Sequence, residues 1–237
     1  MSLAACEAIV RRHDPDRFFS ALFAPADRRP FLFALYAFNH ELAHIGEVAR
    51  EPMIAEIRLA WWRETVEGAR AGKPRNHDVA RALAETFAAN DLPQAPFDAM
   101  IDARAFDASP GLFADLTALE TYADATSGNL MRLAAHVLGG GNDDLARDAG
   151  IAYAIAGLIR SMPHHAARGR QYLSNDVLAE ARVSAGRHLL AARKRKPGSA
   201  LPAYLPAALV RLYLKQADPP LYRKQISLLA AATRGRI

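Results

Sequence analysis

This chain of 237 residues has a single cysteine, Cys6, so no disulfide can form within it and a reducing, cytoplasmic setting is expected. It has no uninterrupted apolar run of the roughly 18 residues that a membrane-spanning helix requires, so no span is expected. Its first residues show no basic flank ahead of an apolar core, and no secretory signal is expected either. Runs of Val, Ile and Thr are scarce, which leaves little material for a sheet. No repeat or low-complexity linker divides the chain, and one domain over residues 1–237 is the simplest organisation.

What is present favours helix. Hydrophobic residues make up 51%, enough to rule out a disordered chain, and alanine recurs throughout. The net charge of +5 permits contact with anionic partners such as lipid headgroups, diphosphates or nucleic acid. It serves solubility equally well. No recognised nucleic-acid motif accompanies the charge, so nucleic-acid binding is not expected.

Apolar residues three and four apart run through nearly every segment, so the expected fold class is all-α. Asp14-Pro15 reads as an N-cap with proline in the first turn, opening a short helix through Phe23. The next helix should run to about Val48, and Glu51-Pro52 should open another that ends near Gly72-Lys73-Pro74. Further helices are expected over about 77–89, 96–106 and 118–138, the last behind a capping box, Thr117-Ala118-Leu119-Glu120, and ahead of Gly139-Gly140-Gly141. Asp143-Asp144 begins a helix that Pro163 should end or kink. The remaining helices are expected at about 175–180, 184–193, 202–216 and 219–233. Trp61 and Trp62 are adjacent, so one belongs in the core and the other faces a cavity or a partner surface.

His40-Glu41-Leu42-Ala43-His44 matches H-E-x-x-H, which places two imidazoles on one helical face for Zn²⁺. A third ligand would have to come from Glu64 or Glu67, or from Glu47 on the same face. No strand of the kind that accompanies such helices is evident, and the surrounding residues fit another family better. A zinc peptidase using His40 and His44 therefore stands as the minor alternative, against two partly solvated helix histidines.

That other family is carried by several pieces in order. They are Ala34-Leu35-Tyr36-Ala37-Phe38, Arg58-Leu59-Ala60-Trp61-Trp62-Arg63-Glu64, Ile101 through Asp107 with Arg104, and Tyr122 with Gly128. Arg160 and Gly169-Arg170-Gln171-Tyr172-Leu173 complete the set. From about Phe18 to Leu178 the chain resembles the squalene/phytoene synthase family. The resemblance implies an isoprenoid-synthase-like helical bundle with a central cavity. Active members condense two allylic diphosphates, and Mg²⁺ ions held by two aspartate sets stabilise the departing diphosphate.

In this sequence those aspartates would fall at Ala43, His44 and Glu47, and at Ser161 and His165. Only Glu47 is a carboxylate. Alanine offers no ligand, serine a weak one, and imidazole suits softer metals than Mg²⁺. The family's glutamine and asparagine would fall at Ala154 and Gly157, and these too are absent. The substitute residues, Tyr36 through Ala43 and Arg160 through His165, resemble a divergent branch of the family associated with respiratory complex I assembly. That resemblance implies a binding protein without catalytic residues, no cofactor, and a complex I subunit or assembly intermediate as partner. It places the protein in the cytoplasm or peripherally at the inner membrane. The alternative is an isoprenyl-diphosphate transferase, which would need Mg²⁺.

The candidate ligand-contacting residues are Tyr36, His40, His44 and Glu47 from the first segment. Arg160, His164, His165, Arg168 and Arg170 come from the second. Cationic groups in place of carboxylates could bind a prenyl or lipid-like phosphate directly. They could equally pair with acids such as Glu47 or Asp124 to hold helices together. The basic run from Arg187 to Lys196 is open in the same way. It is either a peripheral contact with anionic membrane or a solvated helix end favoured by the helix dipole.

Overall fold

The computed structural model describes residues 2–49, 51–108 and 111–237, and among them there are helices and turns but no strand. The chain order is α1 (Ser2–His13), α2 (Pro15–Ala21), α3 (Arg29–Val48), α4 (Pro52–Arg70), α5 (Asp78–Ala89), α6 (Ala95–Ala103) and α7 (Ala105–Ala108). Then come α8 (Leu116–Ala123), a π-helical turn (Asp124–Gly128), α9 (Asn129–Val137), α10 (Asp143–Ala166) and α11 (Asn175–Arg193). The C-terminal part from Leu201 holds α12 (Leu201–Tyr204), a 3₁₀ segment (Leu205–Leu209), α13 (Val210–Lys215) and α14 (Leu221–Arg234). None of these helices is long and apolar enough to cross a membrane.

Two helices form the middle of the bundle. In α3 every residue from Leu32 to Phe38 is buried, so this helix is covered on all sides, chiefly by α1, α4, α5 and α9. Phe38 sets its ring edge against Trp62 at 5.5 Å and lies 5.7 Å from Phe97. Trp62 is the core member of the tryptophan pair, while Trp61 is half-buried with the Arg75 guanidinium 5.1 Å above it. In α10 the residues from Leu145 to Ile159 pack on α9, α11 and α13, and the buried apolar residues of the molecule form one contiguous cluster.

Several element boundaries differ from the sequence expectation. A first helix, α1, buries Cys6 and Val10 against α3 and α5, and burial pushes the Cys6 thiol up to about 12, which leaves it protonated and inert. The capping box at Thr117 does not form. Asp115 already captures the Ala118 N–H at 2.8 Å, so the helix opens at Leu116. The two helices expected at 175–180 and 184–193 are one, because Val177, Ala181, Ser184, Ala185, Leu189 and Ala192 make an unbroken buried stripe. The span 202–216 is broken instead, since Pro206 has no N–H for the helical ladder and the chain tightens to 3₁₀ there. Pro163 does not end α10, which continues to Ala166 and closes on Gly169 in the left-handed conformation at φ 69°.

The π turn between α8 and α9 carries Gly128 against Gly150 of α10. A Cβ built on Gly150 would sit 2.4 Å from the Gly128 Cα, inside any allowed contact. Alanine is favoured over glycine in a helix by about 1 kcal/mol. Gly150→Ala should nevertheless destabilise the protein by about 1–3 kcal/mol, because backbone must move to admit the methyl. Gly157→Ala on the same helix, where a Cβ meets nothing within 4 Å, should stabilise it. Urea unfolding of the two variants measures both signs.

Candidate functional site

Between α3 and α10 lies a cavity of about 460 Å³. From α3 it is lined by Asn39, Ala43 and Glu47, four residues apart and therefore on one face. From α10 it is lined by Ala154, Gly157, Leu158, Ser161 and His165, which repeat at the same helical interval. Four of the five positions where the family resemblance would put aspartates thus share one pocket, and the fifth, His44, does not. One residue beyond Ala43 is about 100° around the helix, so His44 turns outward and its Nδ1 meets Glu47 Oε2 at 3.1 Å.

The other acids that reach the cavity belong to a layer of buried ion pairs. Asp14 caps α2 and holds Arg17 at 2.7 Å, and the Arg17 guanidinium lies 4.9 Å from the Tyr153 ring. Asp16 accepts hydrogen bonds from the phenols of Tyr153, at 3.0 Å, and Tyr213, and it pairs with Lys224 at 3.5 Å. Asp107 holds Arg104 at 3.0 Å and accepts from the Tyr122 hydroxyl at 2.9 Å, while Arg104 also reaches Asn39 at 3.4 Å. Each of these three carboxylates is neutralised by a cation.

The cations of α10 are different. Arg160 lies 4.6 Å over the Tyr213 ring, and its buried Nε has no hydrogen-bond partner among the described residues. Arg170 also lines the cavity, brought back by the left-handed turn at Gly169, whose neighbour closes the helix through Arg170 N–H to His165 O at 2.9 Å. His164 and His165 complete this side. Burial, and then the charge of His164, hold the His165 imidazole below its ordinary ionisation range, so it is neutral near pH 7.

Not every residue singled out in the sequence reaches the pocket. Tyr36 is buried in the core beside Arg17 of α2 and does not line the cavity. His40 stacks on His13 at 4.4 Å and on His44 at 5.6 Å, and Arg168 is exposed beside His164. For the H-E-x-x-H segment, Glu64 is bound to Arg75 and Glu47 to His44. Among the described residues no group of three or more His, Cys, Asp or Glu converges as a metal site.

The basic run of α11 is partly consumed by ion pairs, with Arg187 on Glu120 at 2.7 Å, His188 on Asp148 at 2.7 Å and Arg195 on Asp148 at 2.6 Å. Asp124 pairs with Arg132 at 2.8 Å and with Arg147 of α10 at 3.8 Å, not with Arg160, Arg168 or Arg170. Sequence reading missed Asp16, Tyr153, Tyr213 and Lys224 altogether. Asp14 carried a signal, but only as a helix cap.

Magnesium fits this pocket poorly. At the positions compared, one carboxylate remains and a histidine holds it; the remaining acids are tied to arginine or lysine. Removing one partner of a buried pair costs about 3–5 kcal/mol, because the other charge is left uncompensated. Asp107→Ala should therefore lower the unfolding free energy by about that much. Asp107→Asn, which keeps an acceptor for Tyr122, should cost less; urea titration separates the two.

Comparison with known proteins agrees with this architecture. The family profile described as squalene/phytoene synthase matches residues 10–228. The complex I assembly factor 6 of Bos taurus is 30% identical over 175 residues, which are 73% of this chain and 53% of that protein. The Homo sapiens protein of the same name is 29% identical with the same coverage. The chain thus spans about half the length of these curated relatives. The 15-cis-phytoene synthase of Synechococcus elongatus is 25% identical over 193 residues, covering 74% of this chain and 61% of that enzyme. A crystal structure of a dehydrosqualene synthase in complex with ligand superposes with a TM-score of 0.79 at 17% identity. It covers 98% of this chain and 95% of that one, which shows the shared fold. With a match over nearly its whole length and an all-helical bundle around a central cavity, the chain belongs to the squalene/phytoene synthase family.

Proposed function

We propose that this chain is a binding protein of the squalene/phytoene synthase family that acts in respiratory complex I assembly and has no transferase activity. The observation that carries the reading is the cavity wall. Ionising an allylic diphosphate builds negative charge on the leaving group, and divalent cations stabilise it only where carboxylates gather them. Here Ala43, Ser161 and His165 offer none, Glu47 is engaged by His44, and Asp14, Asp16 and Asp107 are each bound to a cation. The names of the assembly-factor relatives support the biological setting, and their identity exceeds that of the phytoene synthases. A complex I subunit or assembly intermediate is the partner this reading requires, at the membrane where that complex is built.

The cavity keeps a use in this reading. Arg160 and Arg170, with no carboxylate partner among the described residues, suit the phosphate of a prenyl or lipid-like ligand held without metal.

Two measurements test the proposal. Incubation with farnesyl or geranylgeranyl diphosphate and Mg²⁺ should release no pyrophosphate above the blank; sustained Mg²⁺-dependent release would establish the transferase alternative. Deleting the gene in its source organism should lower the amount of assembled complex I on native gels, and an unchanged amount would contradict the assembly role. For the cavity ligand, calorimetric titration with farnesyl diphosphate in a chelator should give heat that the Arg160→Gln/Arg170→Gln variant lacks. No heat from the unmodified protein rejects that ligand.

A further inference from the structure

A second concavity, of about 600 Å³, lies between the end of α11, the 3₁₀ segment with α13, and α14. Arg193, Arg211, Arg234 and Arg236 line it, and no acidic residue does. None of the four has a carboxylate within ion-pairing distance among the described residues, in contrast to Arg187 and Arg195 of the same basic run. The Arg193 Nε is buried without a hydrogen-bond partner. Burial, and then the charges of Arg211, Arg236 and Arg234, hold the Arg193 guanidinium below its ordinary ionisation value. Four like charges around one pocket repel each other until an anion enters, and guanidinium groups match phosphate oxygens two at a time.

A row of apolar side chains borders this pocket. On α14, Leu221, Tyr222, Ile226 and Leu229 are 50%, 56%, 61% and 54% exposed, and at about 100° per residue they occupy one side of the helix. Ile226 belongs both to this row and to the pocket wall. A free anion in water needs no apolar border. A phospholipid at a bilayer surface has its phosphate at the level of the basic pocket and its acyl region directly beneath, where such side chains insert.

We propose that the Arg193/Arg211/Arg234/Arg236 pocket is a docking site for the phosphate of an anionic phospholipid, with α14 lying in the plane of the bilayer and Leu221, Tyr222, Ile226 and Leu229 entering its interface. The site is separate from the central cavity and does not depend on the assembly role. Flotation of the full chain with vesicles tests it, using phosphatidylcholine alone against an equimolar mixture with phosphatidylglycerol. The chain should float with the mixture, fail to float with phosphatidylcholine, and be released by salt.

Arg211→Gln/Arg234→Gln removes two exposed charges and should weaken binding about thirtyfold without unfolding the protein. Ile226→Ser/Leu229→Ser should weaken it as well, which a purely electrostatic patch would not show. Flotation that ignores phosphatidylglycerol, or that survives the arginine substitutions, overturns the site. The lipid assignment also falls if vesicles do not bind while inorganic phosphate raises the melting temperature through these arginines. It falls equally if polyglutamate binds through the same arginines in place of vesicles.

Discussion

Asp16 is the group on which the rest of the bundle depends. A carboxylate buried this deeply is tolerable only with partners, and those of Asp16 come from three other helices. The phenols of Tyr153 of α10 and Tyr213 of α13 donate to one oxygen, and the Lys224 ammonium of α14 lies 3.5 Å from the other. Burial, and then the Asp16 charge itself, push both phenols well above their ordinary ionisation range, so they stay protonated as donors. No one of α2, α10, α13 and α14 can shift without uncovering a charge. The C-terminal segment from Leu201, which is broken into short helices and turns, is tied to the central cavity by this contact.

The same principle shapes the cavity. Its floor is a set of mutually neutralised groups, Asp14 with Arg17 and Asp107 with Arg104 and Tyr122, and these brace the pocket as ion pairs. Its rim on α10 keeps arginine and histidine where a metal-dependent member of the family would need acids. A fold can persist through such a change because helix packing is set by apolar stripes and close glycine contacts, whereas the chemistry of the pocket rests on a few side chains that contribute little to packing. The Gly128–Gly150 crossing and the Phe38, Trp62 and Phe97 cluster are indifferent to whether position 161 is serine or aspartate.

Much of this was legible in the sequence, and the failures have local causes. The family resemblance put Ala43 with Glu47 and Ser161 with His165 across a cavity, and in the structure those four line one pocket, since residues four apart share a helical face. His44, one step off that face, turns outward to Glu47. Pro163 looked like the end or a kink of its helix, but α10 continues to Ala166. Thr117 looked like a cap, but Asp115 caps the helix two residues earlier, through the Ala118 N–H. The H-E-x-x-H segment shows the limit of a motif read alone: its two imidazoles stack on each other, His40 also stacks on His13, Glu64 is bound to Arg75, and Glu47 meets only His44 of the pair.

What the sequence determined by itself is the helical class, the family and the missing carboxylates, because periodicity and residue identity are properties of the chain in one dimension. Only the tertiary structure decided which charges are spent and which are free. Arg187 and Arg195 meet acids of α8 and α10, while Arg193, between them in sequence at the end of α11, turns towards Arg211, Arg234 and Arg236. Ion pairing depends on distances of a few ångströms between residues far apart along the chain, and no spacing rule within one segment carries that information.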